Sequence, residues 1–332
     1  MKRTKWIAVT ILMLLWVVIL TGCGGEPGEQ PTEPAETETE QTAEGGEESE
    51  SGYPKTIVDA LENEVTLDQQ PERVVSLVPS ITETIFALGK GETVVGRTEW
   101  DNYPEEVLEI ESVGDMNFDV EKVIALGPDL VLSHASSGHS SEEGLNQLRN
   151  AGIPVVVVHD AASIDMVYEA IRMIGEAVDA EEEAETVIAD MQDKFAEVEE
   201  KASTIAEEER RKVWVEVSPA PDLYTTGKGT FLDEMLTIVN AINAAGEEEG
   251  WIPYTEEEAV AFQPDVIVTT YGYYVDNAAE QIKERPAWQD VPAVVNERIY
   301  DLVSDEVTRS GPRLAEGVEG LAKAVYPEVF GE

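Results

Sequence analysis

Two stretches of the chain repeat one pattern of apolar and polar positions. "VEKVIALGPDLVL" at 120–132 and "EEEAVAFQPDVIV" at 256–268 each break at Pro-Asp and continue as an apolar run rich in β-branched residues. In the first copy Val120, Val123 and Ile124 stand at helical spacing, and Gly127-Pro128-Asp129 stops the helix they predict. "LVLS" then reads as a short buried strand. The second copy passes through Pro264-Asp265 into "VIVTT". A Glu stands seven residues before each Pro: Glu121 and Glu257.

The surrounding segments repeat as well. "RVVSLVPS" (73–80) matches "KVWVEVSP" (212–219): a basic residue, an apolar run, then a Ser/Pro turn. "SITETIFALGKG" predicts a helix capped by Ser80 or Thr82 and ended by Gly89. In the second half the helix is "TFLDEMLTIVNAINAAG", with Gly246 past its end. Each half closes on a further strand, "IPVVVVHD" at 153–160 and "RIYDLVS" at 298–304, and a hairpin is expected near the start of the body. Strands and helices alternate, and the strands are unbroken apolar runs. Both features predict an α/β fold whose mostly parallel sheets are covered on both faces. Two copies mean two lobes.

Between them, Ile188, Met191, Phe195, Val198, Ala202 and Ile205 are spaced 3, 4, 3, 4, 3. That is one narrow apolar stripe on a long helix. A coiled-coil dimer competes, but about three heptads is the lower limit for one, so a helix packed along both lobes is expected. The boundaries follow: an N-terminal lobe at 53–182, a linker helix at 183–209 and a C-terminal lobe at 210–332.

The N-terminus differs in kind. Lys2, Arg3 and Lys5 precede an apolar run from Trp6 to Leu20, too short to span a membrane, which ends in Leu20-Thr21-Gly22-Cys23. Small residues before a Cys resemble a bacterial lipobox. The resemblance implies a lipoprotein signal peptide at 1–22, lipid on Cys23, and anchoring by acyl chains on the outer face of the cell membrane. An uncleaved signal anchor is the other reading. The segment 23–52 carries ten Glu and no Lys or Arg, and no large apolar residue, so an acidic disordered tether is expected.

Charge narrows the partners. With 22 basic against 69 acidic side chains the formal charge is −47, which argues against nucleic acid. Cys23 is the single cysteine, so there is no internal disulfide and no Cys-cluster metal site. His134, His139 and His159 are the only histidines, and no carboxylate spacing completes a metal site around them. "YTTGKGT" lacks the phosphate-loop pattern and no Gly-x-Ser-x-Gly is present, so no enzyme is expected. Ligands of parallel sheets bind beyond the carboxyl ends of the strands. There the chain is rich in aromatics: Trp100, Tyr224, Tyr271, Tyr273 and Tyr274, with Trp251 nearby. These suit the walls of a site for a flat or bulky ligand.

The lipobox, "RVVSLVPSITETIFALG", "DNYPEE", "VEKVIALGPDLVLSH", "YTTGK" and "RSGPRL" together resemble the substrate-binding proteins of ABC importers for vitamin B12, ferric siderophores and haem. The resemblance covers about 55–330. It implies two Rossmann-like lobes joined by one long α-helix, with the ligand cleft between them. It implies no resident cofactor and a monomer that serves a permease dimer and its ATPase subunits. Glu121 and Glu257 match the surface glutamates by which each lobe docks on the permease. Within the family the chain most resembles the B12 binders, so the expected cargo is a cobalamin-type corrinoid, with a ferric siderophore or haem as the alternative. The expected ligand-binding residues are Ser80, Trp100, His134, Tyr224, Trp251, Tyr271 and Arg309. His134 departs from the family's usual aromatic and is a candidate axial ligand to cobalt or iron. Arg309, with Arg313, is a candidate partner for an anionic group.

Overall fold

The structure, a computed structural model, describes residues 52–331, with the side chains of 138–140 excepted. The expected leader at 1–22, Cys23 and nearly all of the tether at 23–52 therefore lie outside the described residues.

The body opens with an antiparallel hairpin of β1 (Lys55–Val58) and β2 (Glu64–Leu67), which buries Ile57 and Leu67. Then follow β3 (Val74–Ser76), α1 (Pro79–Ala87), β4 (Val94–Gly96), α2 (Val120–Leu126), β5 (Leu130–His134), α3 (Gly138–Asn150) and β6 (Val155–Val158). These four strands make one parallel sheet in the order β4-β3-β5-β6. Successive side chains point to opposite faces. Val74, Leu130, Leu132, Val156 and Val158 enter one core. Val75, Val131, Val155 and Val157 enter another, under α2 and α3. With both faces covered, most strand positions are apolar, hence the long apolar runs; the polar Ser76, Ser133 and His134 stand at the carboxyl ends of β3 and β5.

After α4 (Ile164–Val178), the long helix α5 (Glu181–Ala202) leads to the second lobe. Its 22 residues span about 33 Å at the α-helical rise. Ala184, Ile188, Met191, Phe195, Val198 and Ala202 are buried along its stripe. They share one core with residues of both sheets, so the stripe is used within the chain and not in a coiled coil. The helix stops at Ala202, short of the expected 209, although Ile205 beyond it is still buried.

The second lobe contains β7 (Lys212–Glu216), β8 (Leu223–Thr226), α6 (Phe231–Ile238), β9 (Ile242–Asn243), β10 (Trp251–Tyr254), α7 (Glu256–Ala261) and β11 (Val266–Thr269). It ends with α8 (Ala278–Glu284), α9 (Pro292–Val295), β12 (Ile299–Asp301), α10 (Ser304–Thr308), α11 (Leu314–Val325) and α12 (Pro327–Phe330). Its parallel sheet runs β12-β11-β7-β9, while β8 and β10 pair as a separate antiparallel ribbon. The alternation recurs: Val213, Val215, Val266 and Val268 face the shared core, and Trp214 and Ile267 face the other side.

The repeated Pro-Asp has a structural reason. The Asp129 carboxylate accepts the backbone N–H groups of Glu72 and Arg73, each at 2.9 Å, and the Asp129 N–H donates to the Arg73 carbonyl at 3.0 Å. Asp265 accepts from the Lys212 N–H at 2.9 Å and donates to its carbonyl at 2.8 Å. In each lobe the Asp clamps the start of the adjacent parallel strand.

Two expected helix ends are corrected. Helix α1 is not capped by Ser80 or Thr82, which lie buried inside it. Its N-cap is Val78, and Pro79 sits at the first helical position, where its fixed φ suits the helix and its missing N–H costs no bond. Helix α6 stops at Ile238 and does not reach Gly246. Asn240 takes a φ of 57°, and its side-chain amide donates to the carbonyls of Ala202 and Ile205, each at 3.2 Å. That turn releases Ile242–Asn243 to pair beside β7.

Candidate functional site

The carboxyl ends of both sheets face a cleft with two chambers. The larger, about 570 Å³, is lined by Trp100 and Glu99 from one lobe and by Tyr273, Asp301 and the start of α10 from the other. The smaller, about 350 Å³, reaches under Trp100 into the first lobe, along Leu77-Val78-Pro79, Phe118, Ser133 and Ser136. Trp100, Tyr273, Ser304, Asp305 and Arg309 line both chambers and stand between them. Trp100 is 61% exposed and Tyr273 74% exposed, so two large rings face the opening. Such rings are the usual walls for a flat ligand.

Arg309 ties the lobes together at the base of this cleft. Its Nη1 donates to Glu83 Oε1 of α1 at 2.5 Å and to Asn102 Oδ1 at 2.8 Å. Its Nη2 donates to the Trp100 carbonyl at 3.1 Å and lies 3.0 Å from Asp305 Oδ1. Asn102 Nδ2 in turn donates to Asp305 Oδ2 at 2.8 Å. Arg313 adds a contact to Glu83 at 3.5 Å, donates to Glu306 at 3.0 Å, and lies 4.1 Å over the Tyr103 ring. Burial pushes the Glu83 carboxyl up, against the opposing pull of Arg309 and Arg313. Burial likewise raises Asp101, whose carboxylate accepts from Thr98 behind Trp100.

The expected ligand residues fall into distinct places. Trp100 and Arg309 line both chambers, but the guanidinium of Arg309 is committed to protein groups and is not free for an anionic ligand. Tyr271 is not on the wall: it is 1% exposed, and its hydroxyl donates to Glu216 at 2.6 Å, where Arg285 donates as well. Burial and the Glu216 charge raise its pKa. Its place on the wall is taken by Tyr273, two residues on. Ser80 is buried inside α1 and lines neither chamber. His134 is also buried. Its Nδ1 lies 2.7 Å from Ser136 Oγ and accepts the Ser136 N–H at 3.3 Å, so its other nitrogen carries the ring proton in the neutral form. Burial lowers its pKa, opposed by Asp160. With Nδ1 occupied and the other nitrogen protonated, the ring is not set up as an axial metal ligand. Tyr224 and Trp251 sit on the β8–β10 ribbon, half exposed, and line neither chamber; Trp251 packs edge-on to Phe231. No cluster of three metal-ligating side chains occurs among the described residues.

Sequence reasoning did not single out Asp305, Ser133 or Glu83. Glu83 had one signal, an acid inside a helix whose other positions are apolar or small. Its partner lies 226 residues away, a separation that no local pattern reports.

Glu121 and Glu257 are both exposed and both second in their helices, α2 and α7. Asp119 caps α2 through the Lys122 N–H, and Thr255 caps α7 through the Glu258 N–H. Glu256 accepts from Trp288 Nε1 at 2.9 Å, and Glu258 is held by Thr255. Of the three consecutive acids, Glu257 is the one with no such partner among the described residues.

Comparison with known proteins gives a consistent family. Residues 74–306 match the periplasmic binding protein family. An ABC transporter substrate-binding lipoprotein of Bacillus subtilis is 47% identical over 320 residues, covering 96% of this chain and 97% of that protein. A vitamin B12-binding protein of Pectobacterium atrosepticum is 29% identical over 253 residues, covering 74% of this chain and 85% of that protein. Among solved structures, a possible iron-binding periplasmic solute-binding protein from Staphylococcus epidermidis has a TM-score of 0.70 at 34% identity, covering 78% of this chain and 100% of that one.

Proposed function

The chain belongs to the periplasmic binding protein family, and from that membership and the cleft we propose that it delivers a cobalamin-type corrinoid to an ABC importer. It is the substrate-binding component of such a transporter, in the branch that includes B12, siderophore and haem binders. The corrinoid reading rests on one observation, the charge of the cleft. Glu99, Asp115, Asp301 and Asp305 line the chambers, and Arg309, the single basic lining residue among the described residues, is already paired. Haem carries two propionates and a triscatecholate complex carries several negative charges; both are repelled by such a lining. Cyanocobalamin, edged with neutral carboxamides and with its single phosphodiester balanced by the cobalt–corrin centre, is neutral overall and is not, and Trp100 and Tyr273 offer its corrin flat faces. A relative that binds vitamin B12 supports the same cargo.

The remaining parts of the role follow the family. Glu121 and Glu257, matched in helix position and left uncommitted, are the docking carboxylates for a permease dimer. Cys23 carries the lipid that anchors the protein on the extracytoplasmic face, a reading supported by the relative that is a lipoprotein. No helix among the described residues is long and apolar enough to cross a membrane. The protein acts as a monomer, performs no chemistry and holds no resident cofactor.

The test is a titration of the full chain in detergent with cyanocobalamin, followed by tryptophan fluorescence, with haemin and a ferric hydroxamate in parallel. Saturable quenching by cobalamin that is weakened in Trp100→Ala carries the reading. Saturable binding of an iron complex and none of cobalamin transfers the cargo to the alternative.

A further inference from the structure

The smaller chamber holds a group that the fold itself does not use. Ser133, in β5, is 1% exposed, and its Oγ is buried without a hydrogen-bond partner. It lines the chamber that reaches under Trp100. A buried hydroxyl left unpaired costs free energy that a well-placed ligand atom recovers. The chamber's other serine and threonine hydroxyls are occupied: Thr98 Oγ1 by the Asp101 carboxylate, Ser136 Oγ by His134 Nδ1 at 2.7 Å, Ser137 Oγ by the His134 carbonyl at 3.0 Å, Ser141 Oγ by the Met116 carbonyl at 3.2 Å, Ser304 Oγ by Thr308 Oγ1 at 3.4 Å, and Thr308 Oγ1 by the Ser304 carbonyl at 2.8 Å.

The rest of the lining selects the chemistry. Leu77, Val78, Pro79 and Phe118 supply apolar surface, and Asp115 and Asp305 supply carboxylates. Acceptors of this charge disfavour an anionic group and favour a neutral one that brings N–H or O–H donors. A hydroxyl can both donate and accept, so Ser133 matches a primary carboxamide or a sugar hydroxyl, each of which does both.

Resting on the corrinoid reading above, we propose that this chamber is a subsite for a neutral donor-bearing arm of the ligand, recognised by Ser133 Oγ. The arm is either a ring carboxamide or the ribosyl part of the nucleotide loop, which share this chemistry.

The test compares the wild-type full chain with Ser133→Ala in detergent, by fluorescence titration and thermal melting. Three probes are used: cyanocobalamin, cobinamide, which lacks the nucleotide, and cyanocobalamin whose peripheral carboxamides are hydrolysed to carboxylates. Because Ser133 Oγ makes no bond within the protein, the substitution leaves the melting temperature unchanged or raises it. It weakens cyanocobalamin by about fivefold to tenfold, the effect of one buried hydrogen bond. A penalty that persists on cobinamide assigns the ring carboxamide to Ser133, and one that vanishes assigns the nucleotide arm; both support the subsite. The hydrolysed form binds the wild type more weakly than the amide form. Unchanged affinity in Ser133→Ala, or, where the penalty persists on cobinamide, equal binding of the amide and carboxylate forms by the wild type, overturns the subsite and leaves the corrinoid reading standing. No binding of cyanocobalamin by the wild type overturns both.

Discussion

Arg309 of the second lobe places its Nη1 2.5 Å from Oε1 of Glu83, a buried carboxylate of the first lobe. The same guanidinium reaches the backbone of Trp100, so one side chain fixes the lobe spacing and the position of a principal ring on the cleft wall. A buried pair of this kind is asymmetric: its desolvation offsets much of its attraction, yet removing the cation alone strands a charge.

Arg309→Met should therefore cost about 3 kcal/mol or more of stability, whereas Glu83→Gln, which keeps an acceptor for Arg309 and removes the buried charge, should cost far less. Urea denaturation of both variants and of the double variant measures this. Equal losses in the two single variants would show that the pair acts as a simple attractive contact.

The same site sets a pH dependence. Burial raises the Glu83 carboxyl above its ordinary value, with Arg309 and Arg313 pulling the other way and Asp305 adding to the rise. The folded protein thus holds this proton to higher pH than the unfolded chain does. Its contribution to stability is fully present below the unfolded pKa and is lost as pH rises through the folded value. The stability of Glu83→Gln relative to wild type should accordingly increase from about pH 4.5 upward through the raised carboxyl's range. Melting temperatures of the two proteins across that range give the difference; a difference that falls with pH would mean that the arginines outweigh the burial.

Tyr271 and Trp100 should separate stability from binding. Tyr271→Phe removes a buried hydroxyl from Glu216, which keeps Arg285, and should cost about 1 kcal/mol with no change in ligand affinity. Trp100→Ala, at an exposed position, should change stability by no more than about 0.5 kcal/mol and weaken ligand binding about tenfold or more. Paired melts and titrations decide it, and a binding defect in Tyr271→Phe would return that ring to the cleft.

Much of this architecture was readable from local pattern, because strands that feed two cores are apolar along most of their length, as Val155 to Val158 are throughout. The α5 stripe was readable for the same reason: one line of contacts writes one line of apolar residues. What escaped depends on partners far along the chain. Asn240 ends α6 because it finds the carbonyls at the end of α5, while Val239 and Ile242 mimic helical spacing. Tyr271 turns inward because Glu216 and Arg285 await it, and Tyr273, with no such partner, turns outward. Ser133 looked like any strand-end serine, and its missing bond is visible only in three dimensions.

The repeated Glu leads to the last expectation. Asp129 and Asp265 explain the repeated Pro-Asp as a clamp between strands, and that role makes no demand on the residues eight positions earlier. Glu121 and Glu257 are nevertheless in matched helix positions, exposed, on caps built from other side chains. Fold stability does not require them, so their pairing is best read as one contact per lobe with a two-subunit partner, where arginine–carboxylate bonds are directional and reversible. Changing both to Gln should leave melting temperature and ligand affinity unchanged. It should weaken association with the reconstituted importer by about 2 kcal/mol or more, roughly thirtyfold. Glu256→Ala and Glu258→Ala should behave in the opposite way, because these side chains accept from Trp288 and close the α7 cap: each removes an acceptor and should lower stability, by about 1 kcal/mol, while transport persists. Ligand-stimulated ATPase activity of the reconstituted importer, measured with each variant, separates the two sets, and full stimulation by the Glu121, Glu257 double variant would remove docking as the reason the chain says Glu twice.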